Sequence, residues 1–373
     1  MARNFLILSA HDYRSPRKAG IHFVAAELAR LGTTRFFSLH YSRLTRFKRD
    51  PRRSLDALSN QKATSPDGVE CYLWRTLVHP FSVRVPGLAP LEALMFRHHV
   101  SHPSPVLVEW IREADTVFFE SGMAPVFFDL VRRLNPAART VYIASDDLGS
   151  IKAARYVQRT FARVAPQFDT VCLKSPGMAP DVHAGPNVRV VPHGFDFSVD
   201  EHADPSPYPP GRHAVSLGSM LFDPGFFVTA SRAFPDITFH VIGSGHGAHA
   251  GYGPNVKVYG EMPHRQTLPY VKHADFGIAP YRAARMPAHL GETSLKLMQY
   301  DHFKLPAVCP HAIVCGCSNR YGYTPGEPET IVQAIRQALQ APRVSTLRHL
   351  RWDEVVQRML EPAAYDDTRF APG

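Results

Sequence analysis

Cysteine is scarce in this chain: five residues in 373, an odd number, which argues against a secreted scaffold stapled by disulfides. Long apolar runs are missing as well. No stretch approaches the roughly 18 apolar residues that a membrane-crossing helix needs. The opening Met1-Ala-Arg-Asn-Phe-Leu-Ile-Leu-Ser-Ala-His-Asp12 is apolar too briefly to form the core of a signal peptide. These absences predict a cytoplasmic chain whose contact with a membrane is peripheral. Histidine is plentiful, yet neither HExxH nor the Cys/His spacing of a zinc site occurs. Cys309, Cys315 and Cys317 lie near one another without a suitably spaced fourth ligand and read as reduced structural thiols. Acidic residues are in the minority. Asp and Glu number 33 against 42 Lys and Arg, a formal charge of +9 that points to an anionic partner. Nucleic acid, a phosphate-bearing ligand and an anionic membrane all qualify. No helix-turn-helix, zinc finger or RNA-binding aromatic motif accompanies the charge, which ranks nucleic acid last.

What is present is an alternation of short apolar strands with helical stretches. Phe5 to Ala10 reads as a buried strand, followed by a polar loop and a helix from about Ile21 to Leu31. Similar runs recur at Thr116–Glu120, Arg139–Ala144, Thr170–Leu173 and Val188–Val191. After the Pro-rich Asp204-Pro-Ser-Pro-Tyr-Pro-Pro-Gly211, which reads as a linker, the pattern restarts. Its strands are His213–Leu217, Ile237–Ile242, Val256–Tyr259, Phe276–Pro280 and Ala307–Cys309. Uninterrupted apolar strands between helices predict parallel sheets covered on both faces. The expected fold class is therefore α/β, with two doubly wound, Rossmann-like halves. Ligands of such sheets sit at the carboxyl ends of the strands.

The second half carries several local features in a row. Val241-Ile-Gly-Ser-Gly-His-Gly247 ends a strand with three glycines, so backbone amides can approach a ligand closely. Tyr259-Gly-Glu-Met-Pro-His264 puts the carboxylate of Glu261 and the thioether of Met262 at the next strand end. Phe276-Gly-Ile-Ala-Pro-Tyr281 brings Tyr281 to a third. Gly291-Glu-Thr-Ser294 then caps a helix that begins Leu295-Lys-Leu-Met-Gln-Tyr300, and a capped N-terminus beside a lysine suits a phosphate or carboxylate. Each feature alone also has a plain reading: a tight turn, an exposed loop acid, a solvated lysine, a methionine filling the core.

The order of these pieces resembles the nucleotide-sugar domain of GT-B glycosyltransferases. The pair of glutamates with seven residues between them that many retaining members carry is absent here, since Tyr300 stands eight positions after Glu292, which favours inversion. Longer motifs narrow the resemblance: Ser9-Ala-His-Asp-Tyr-Arg-Ser-Pro-Arg-Lys18, Gly32-Thr-Thr-Arg-Phe-Phe-Ser-Leu39, Cys71-Tyr-Leu-Trp-Arg-Thr76, Gly218-Ser-Met-Leu-Phe-Asp-Pro224 and Leu305-Pro-Ala-Val-Cys-Pro310. Together they are similar to the GumK family, the membrane-associated glucuronosyltransferases of xanthan-type exopolysaccharide assembly, over nearly the whole chain. The resemblance implies a GT-B fold, two Rossmann-like domains facing across a cleft. It implies residues 1–203 for the acceptor and membrane, 204–354 for the UDP-sugar, and 355–373 returning to the first domain. The implied reaction is inverting transfer from UDP-glucuronate to the mannose of a polyprenyl-diphosphate-linked oligosaccharide, forming a β-1,2 bond without a metal or other cofactor.

Residue by residue, the resemblance assigns Asp146 as the base that takes the acceptor hydroxyl's proton. The family pattern has glycine after it, whereas this chain has Asp147, whose carboxylate offers the same chemistry or a helix cap. The donor falls to Met220 and Met262 around the uracil and Glu261 on the ribose. Tyr281 also lines the donor site, with Lys296 and Gln299 on the diphosphate or the sugar carboxylate. Leu295 stands where the pattern has methionine. His11 and Asp12, after the first strand, are candidates for orienting the acceptor, and Glu120 is a second acid at a neighbouring strand end.

Two segments suit an anionic bilayer and a lipid diphosphate. Arg43-Leu-Thr-Arg-Phe-Lys-Arg-Asp-Pro-Arg-Arg53 carries six basic residues against one acid, and residues 84–100 mix leucine, methionine and phenylalanine with basic groups. A solvated loop followed by a core helix would show the same pattern. The implied location is the cytoplasmic face of the inner membrane. The same fold with a different UDP-sugar or acceptor, a non-catalytic binding protein of that fold, and a sugar-nucleotide epimerase remain the alternatives.

Overall fold

Short runs of β-branched and aromatic residues build two mainly parallel sheets in the computed structural model, which describes residues 3–15, 18–47, 50–83, 85, 87–182, 185–282, 286–287 and 289–370. The chain divides into an N-terminal unit, Met1–Gly194 with Trp352–Gly373, and a C-terminal unit, Phe195–Arg351.

The N-terminal sheet contains β1 (Arg3–Ser9), β2 (Gly32–Ser42), β3 (Lys62–Thr64), β4 (Glu70–Thr76), β5 (Thr116–Glu120), β6 (Arg139–Ala144), β7 (Thr170–Leu173) and β8 (Val188–Val190). Their spatial order is β3-β4-β2-β1-β5-β6-β7-β8, parallel except for the β3–β4 pair. Strands β5 and β7 are buried along their whole length because helices cover both faces. Leu6, Leu8, Phe37, Trp74, Trp110, Phe119 and Tyr142 share one core. Successive strands run outward from β1 in one direction and from β5 in the other, so the direction of winding reverses between β1 and β5. Such a reversal opens a crevice at the carboxyl ends of the strands.

The C-terminal segment returns to this unit at Trp352. Its helix Trp352–Leu360 packs on the helix Gly20–Leu31, with Phe23 stacked on Trp352 at 5.0 Å between centroids. Gly194 lies against the same indole, where a Cβ would come within 2.4 Å. Arg139 donates to the carbonyls of Met359 and Leu360.

The second sheet contains β9 (Arg212–Leu217), β10 (Ile237–Ile242), β11 (Val256–Tyr259), β12 (Phe276–Ile278), β13 (Ala307–Pro310) and β14 (Arg320–Tyr323). Its order is β11-β10-β9-β12-β13-β14, all parallel, with the reversal between β9 and β12. Alternate residues supply two cores, Val215 facing one and Ala214 the other.

Several expectations shift. The chain leaves the N-terminal unit after Gly194, earlier than the Pro-rich stretch at 204–211. That stretch is packed on the second unit: Asp204 pairs with Lys272 and His273, and Tyr208 stacks on His213 at 4.3 Å. Strands β2, β3, β4 and β14 were not among those expected. In β2 the charged Arg35 hides the apolar pattern, and ion pairs with Glu70 and Glu113 neutralise it. Strand β12 stops short of Pro280, which has no N–H to extend the ladder. Among the described residues no helix is long and apolar enough to cross a membrane.

Asp301 organises the far side of the second unit. It is 1% exposed and accepts from Asn319, Ser345, both the amide and hydroxyl of Thr346, and the Leu347 amide, with His349 Nε2 3.0 Å away. Burial works against its charged form, but the His349 bond and the Thr346 and Ser345 bonds outweigh it and hold the carboxyl well below the ordinary carboxylate range. The folded form therefore gains stability above the unfolded value near 4 and loses it as pH falls below that value. Asp301→Ala should cost about 3 kcal/mol or more at pH 7 and flatten the acid loss of stability in denaturant titrations. An unchanged midpoint would contradict the role given to this carboxylate.

Candidate active site

Each unit gathers polar residues where its winding reverses. In the N-terminal unit, Ser9 ends β1 and Glu120 ends β5, and the serine hydroxyl donates to Glu120 Oε2. Ser145, just beyond β6, donates to Oε1 at 3.2 Å. Glu120 is 3% exposed, and burial pushes its pKa up, countered by His11, whose Nε2 lies 4.0 Å from Oε1, and by the two serines.

Asp146 follows Ser145 at the exposed edge, its amide donating to Ser121 Oγ at 3.0 Å. Asp147 is occupied differently. Its carboxylate accepts the Ser150 amide at 2.5 Å, and its carbonyl accepts from the Ser150 hydroxyl and the Ile151 amide. Of the two adjacent acids, Asp147 closes the turn and Asp146 stands at the edge.

Asp12 serves the structure instead of facing a ligand. It is fully buried, paired with Arg14 at 2.8 Å and accepting from Ser38. Burial opposes its charge, yet those bonds to Arg14 and Ser38 hold its pKa below the ordinary value. His11 is half-exposed beside Glu120.

Sequence reasoning passed over Lys174, which follows β7 at the same edge. It is 4% exposed, and among the described residues it has no hydrogen-bond or ion-pair partner. Burial pushes its pKa down to about 8, opposed by the charges of Cys172 and Glu120. A charged residue directly after an apolar strand was the available signal.

In the C-terminal unit the reversal lies between β9 and β12, and the turns after these strands are tied together. Phe222 bridges to Tyr281, the Asp223 amide donates to the Pro280 carbonyl at 2.7 Å, and Arg282 N–H donates to the Leu221 carbonyl. Met220 sits in the first of these turns, 59% exposed. The Gly-rich turn after β10 uses positive φ at Gly243 and Gly245, where any other residue would be strained. It lies close to both neighbours: a Cβ on Gly243 would be 3.8 Å from Glu261 Cα, and one on Gly245 3.6 Å from Ser219 Cβ. Glu261 is exposed after β11, and Met262 packs half-buried against the core.

Tyr281 is buried, its hydroxyl 2.9 Å from Ser294 Oγ, and burial pushes its pKa up to about 12. Ser294 also caps the helix Leu295–His302, accepting from the Leu297 amide. Lys296 lies over the Tyr281 ring, Nζ 5.0 Å from its centroid. The residue is half-buried, and burial pushes its pKa down to about 7. Gln299, on the same helix, bonds to His264. The structure thus brings Met220, the Gly-rich turn and Glu261 to one edge, and groups Tyr281, Lys296 and Ser294 at the β12 end of it. Enclosed cation, helix N-terminus and exposed backbone amides suit an anionic ligand.

Comparison with known proteins gives consistent findings. A family model described as "Glucuronosyltransferase GumK, N-terminal domain" matches residues 7–174. The chain is 55% identical over 368 residues to the UDP-glucuronate:glycolipid 2-beta-glucuronosyltransferase of Xanthomonas campestris pv. campestris, covering 99% of this chain and 92% of that one. Among solved structures it is similar to Anabaena HepE in complex with UDP and glucose, with a TM-score of 0.59 at 14% identity over 97% of this chain and 99% of that one. A likeness to Arabidopsis thaliana UGT89C1 complexed with UDP-L-rhamnose has a TM-score of 0.53 at 13% identity, covering 98% and 94%. These structural likenesses establish the fold as GT-B, with two Rossmann-like domains.

Enclosure of Lys296 is measurable without any substrate. After reductive dimethylation with labelled formaldehyde, its NMR signal should titrate near pH 7, against about 10.4 for an ordinary lysine. Added inorganic diphosphate should raise that midpoint, because an anion favours the charged form. A midpoint near 10 would contradict the enclosure.

Proposed function

The chain belongs to the GumK family of glucuronosyltransferases, and from that membership we propose that it transfers glucuronate from UDP-glucuronate to a lipid-linked glycan, forming a β-1,2 bond. The acceptor in this reading is the mannose of a polyprenyl-diphosphate-linked oligosaccharide in exopolysaccharide assembly. The single observation that carries the reading is the 55% identity over nearly the full length of both chains.

Each unit contributes one half of the chemistry. Asp146, exposed at the edge of the N-terminal sheet, accepts the proton of the acceptor hydroxyl as its oxygen attacks the anomeric carbon. The bond from that carbon to UDP breaks in the same displacement, and the configuration inverts. In the C-terminal unit Met220 and Met262 flank the uracil, and Glu261 accepts from the ribose hydroxyls. Tyr281 carries the enclosed ammonium of Lys296 above its ring, where that cation and the capped helix end offset charge on the departing diphosphate, with Gln299 beside them. No metal or cofactor is needed for this displacement, since the lysine and the helix end supply the positive charge.

Peripheral attachment to an anionic membrane at the cytoplasmic face completes the proposal. The helix Ala89–Ser101 supports it by burying Glu92, Phe96 and His99 while exposing Leu91 and Leu94. Leu77, Val78, Phe81, Val85 and Leu88 are exposed just before it, a run of apolar surface of the kind that marks interaction sites. The basic segment contributes less than its sequence suggests. Arg52 turns inward to the carbonyls of Ala10 and Leu39, while Arg43 and Arg53 are exposed. Lys48 and Arg49 lie outside the described residues, as does Arg84.

Three outcomes follow. Incubated with UDP-glucuronate and a lipid-linked mannosyl acceptor, the protein should form product. Asp146→Asn should lower turnover about a thousandfold while leaving UDP affinity within twofold. Near-full activity in that variant would remove Asp146 from the role of base. Replacing Leu91 and Leu94 with serine should weaken binding to phosphatidylglycerol vesicles about tenfold or more, and unchanged partition would contradict docking through this helix.

A further inference from the structure

The carboxylate of Glu120 is buried at the N-terminal edge. A buried carboxylate is tolerated only when its oxygens are bonded, and both oxygens here accept a serine hydroxyl. The two serines come from different strand ends, Ser9 from β1 and Ser145 from β6, so one carboxylate ties three strand ends together at the winding reversal. The next residue along, Ser121, holds the amide of Asp146 at 3.0 Å. The pair Glu120-Ser121 thus grips the pair Ser145-Asp146 by two side-chain bonds.

We propose that Glu120 and Ser121 are positioning residues for Asp146: they fix the turn that presents its carboxylate. This rests on Asp146 being the base of the transfer. The groups facing Glu120 are His11 from the end of β1, Asp146 and Tyr142 from β6 and its turn, and Lys174 from the end of β7. The charge of Asp146 works with burial to raise the proton affinity of Glu120. Asp146 is exposed and returns its proton to water afterwards, so no relay through Glu120 is required.

Glu120→Gln removes the charge and keeps the shape. One amide oxygen still accepts from a serine, and the other serine rotates to accept from the new amide. Ser121→Ala is milder and removes only the acceptor of the Asp146 amide. The test compares both with Asp146→Asn by kcat, KM for UDP-glucuronate and thermal stability. Ser121→Ala should lower kcat about 10- to 100-fold with KM unchanged. Glu120→Gln should lower kcat at least about tenfold, also with KM unchanged, because the turn then presents Asp146 less accurately. A role confined to folding would lower thermal stability and leave kcat of the folded enzyme in place. If Asp146→Asn is inactive while both clamp variants keep the native kcat, the clamp is overturned and Asp146 stands as the base. If Asp146→Asn is active, the clamp falls together with the base it was to position.

Discussion

A parallel sheet wound outward from its middle delivers every strand's carboxyl end to one edge, and at the reversal of winding two of those ends have no crossing connection between them. This constraint organises the chemistry of both units. In the N-terminal unit the gap between β1 and β5 is filled by Glu120, which binds serines from both sides of it. In the C-terminal unit the gap between β9 and β12 is tied off by main-chain bonds from residues 222, 223 and 282. One edge is thereby left acidic and the other cationic. A proton acceptor suits the first, and a departing diphosphate suits the second.

That division explains how the excess positive charge is used. Its most telling members are not the crowded surface arginines but two lysines whose pKa burial lowers, Lys174 and Lys296. An enclosed ammonium is poorly solvated and gains strongly when an anion arrives. The clustered segment at 43–53, by contrast, spends Arg52 internally as a donor to main-chain carbonyls. Charge counted along a sequence weights all lysines and arginines equally, although their energetic reach differs with burial.

Much of the fold was legible because buried parallel strands must be apolar throughout, and runs such as Thr116–Glu120 and Ile237–Ile242 announce themselves. What stayed hidden involves long-range compensation. Arg35 is tolerated within β2 only because Glu70 and Glu113 meet it, from residues far along the chain. The Pro-rich stretch reads as a linker, yet Tyr208 and Asp204 anchor it to the second unit. At the site, motif order pointed to the strand ends that carry Tyr281, Lys296 and Glu261. It showed two adjacent acids, Asp146 and Asp147, but not the bond by which the Asp147 carboxylate holds the Ser150 amide. Nor could it single out Ser121 or Ser145, since a serine shows its purpose only through what it touches.

The central claim is a single displacement at the anomeric carbon, with an acid of the N-terminal edge taking the acceptor's proton. The anomeric configuration of the product tests it most directly, read from the proton coupling of the new glycosidic bond by NMR. Starting from α-linked UDP-glucuronate, a single displacement gives only the β-linked glucuronide. An α-linked product would require two successive displacements or a different mechanism, and would contradict the account.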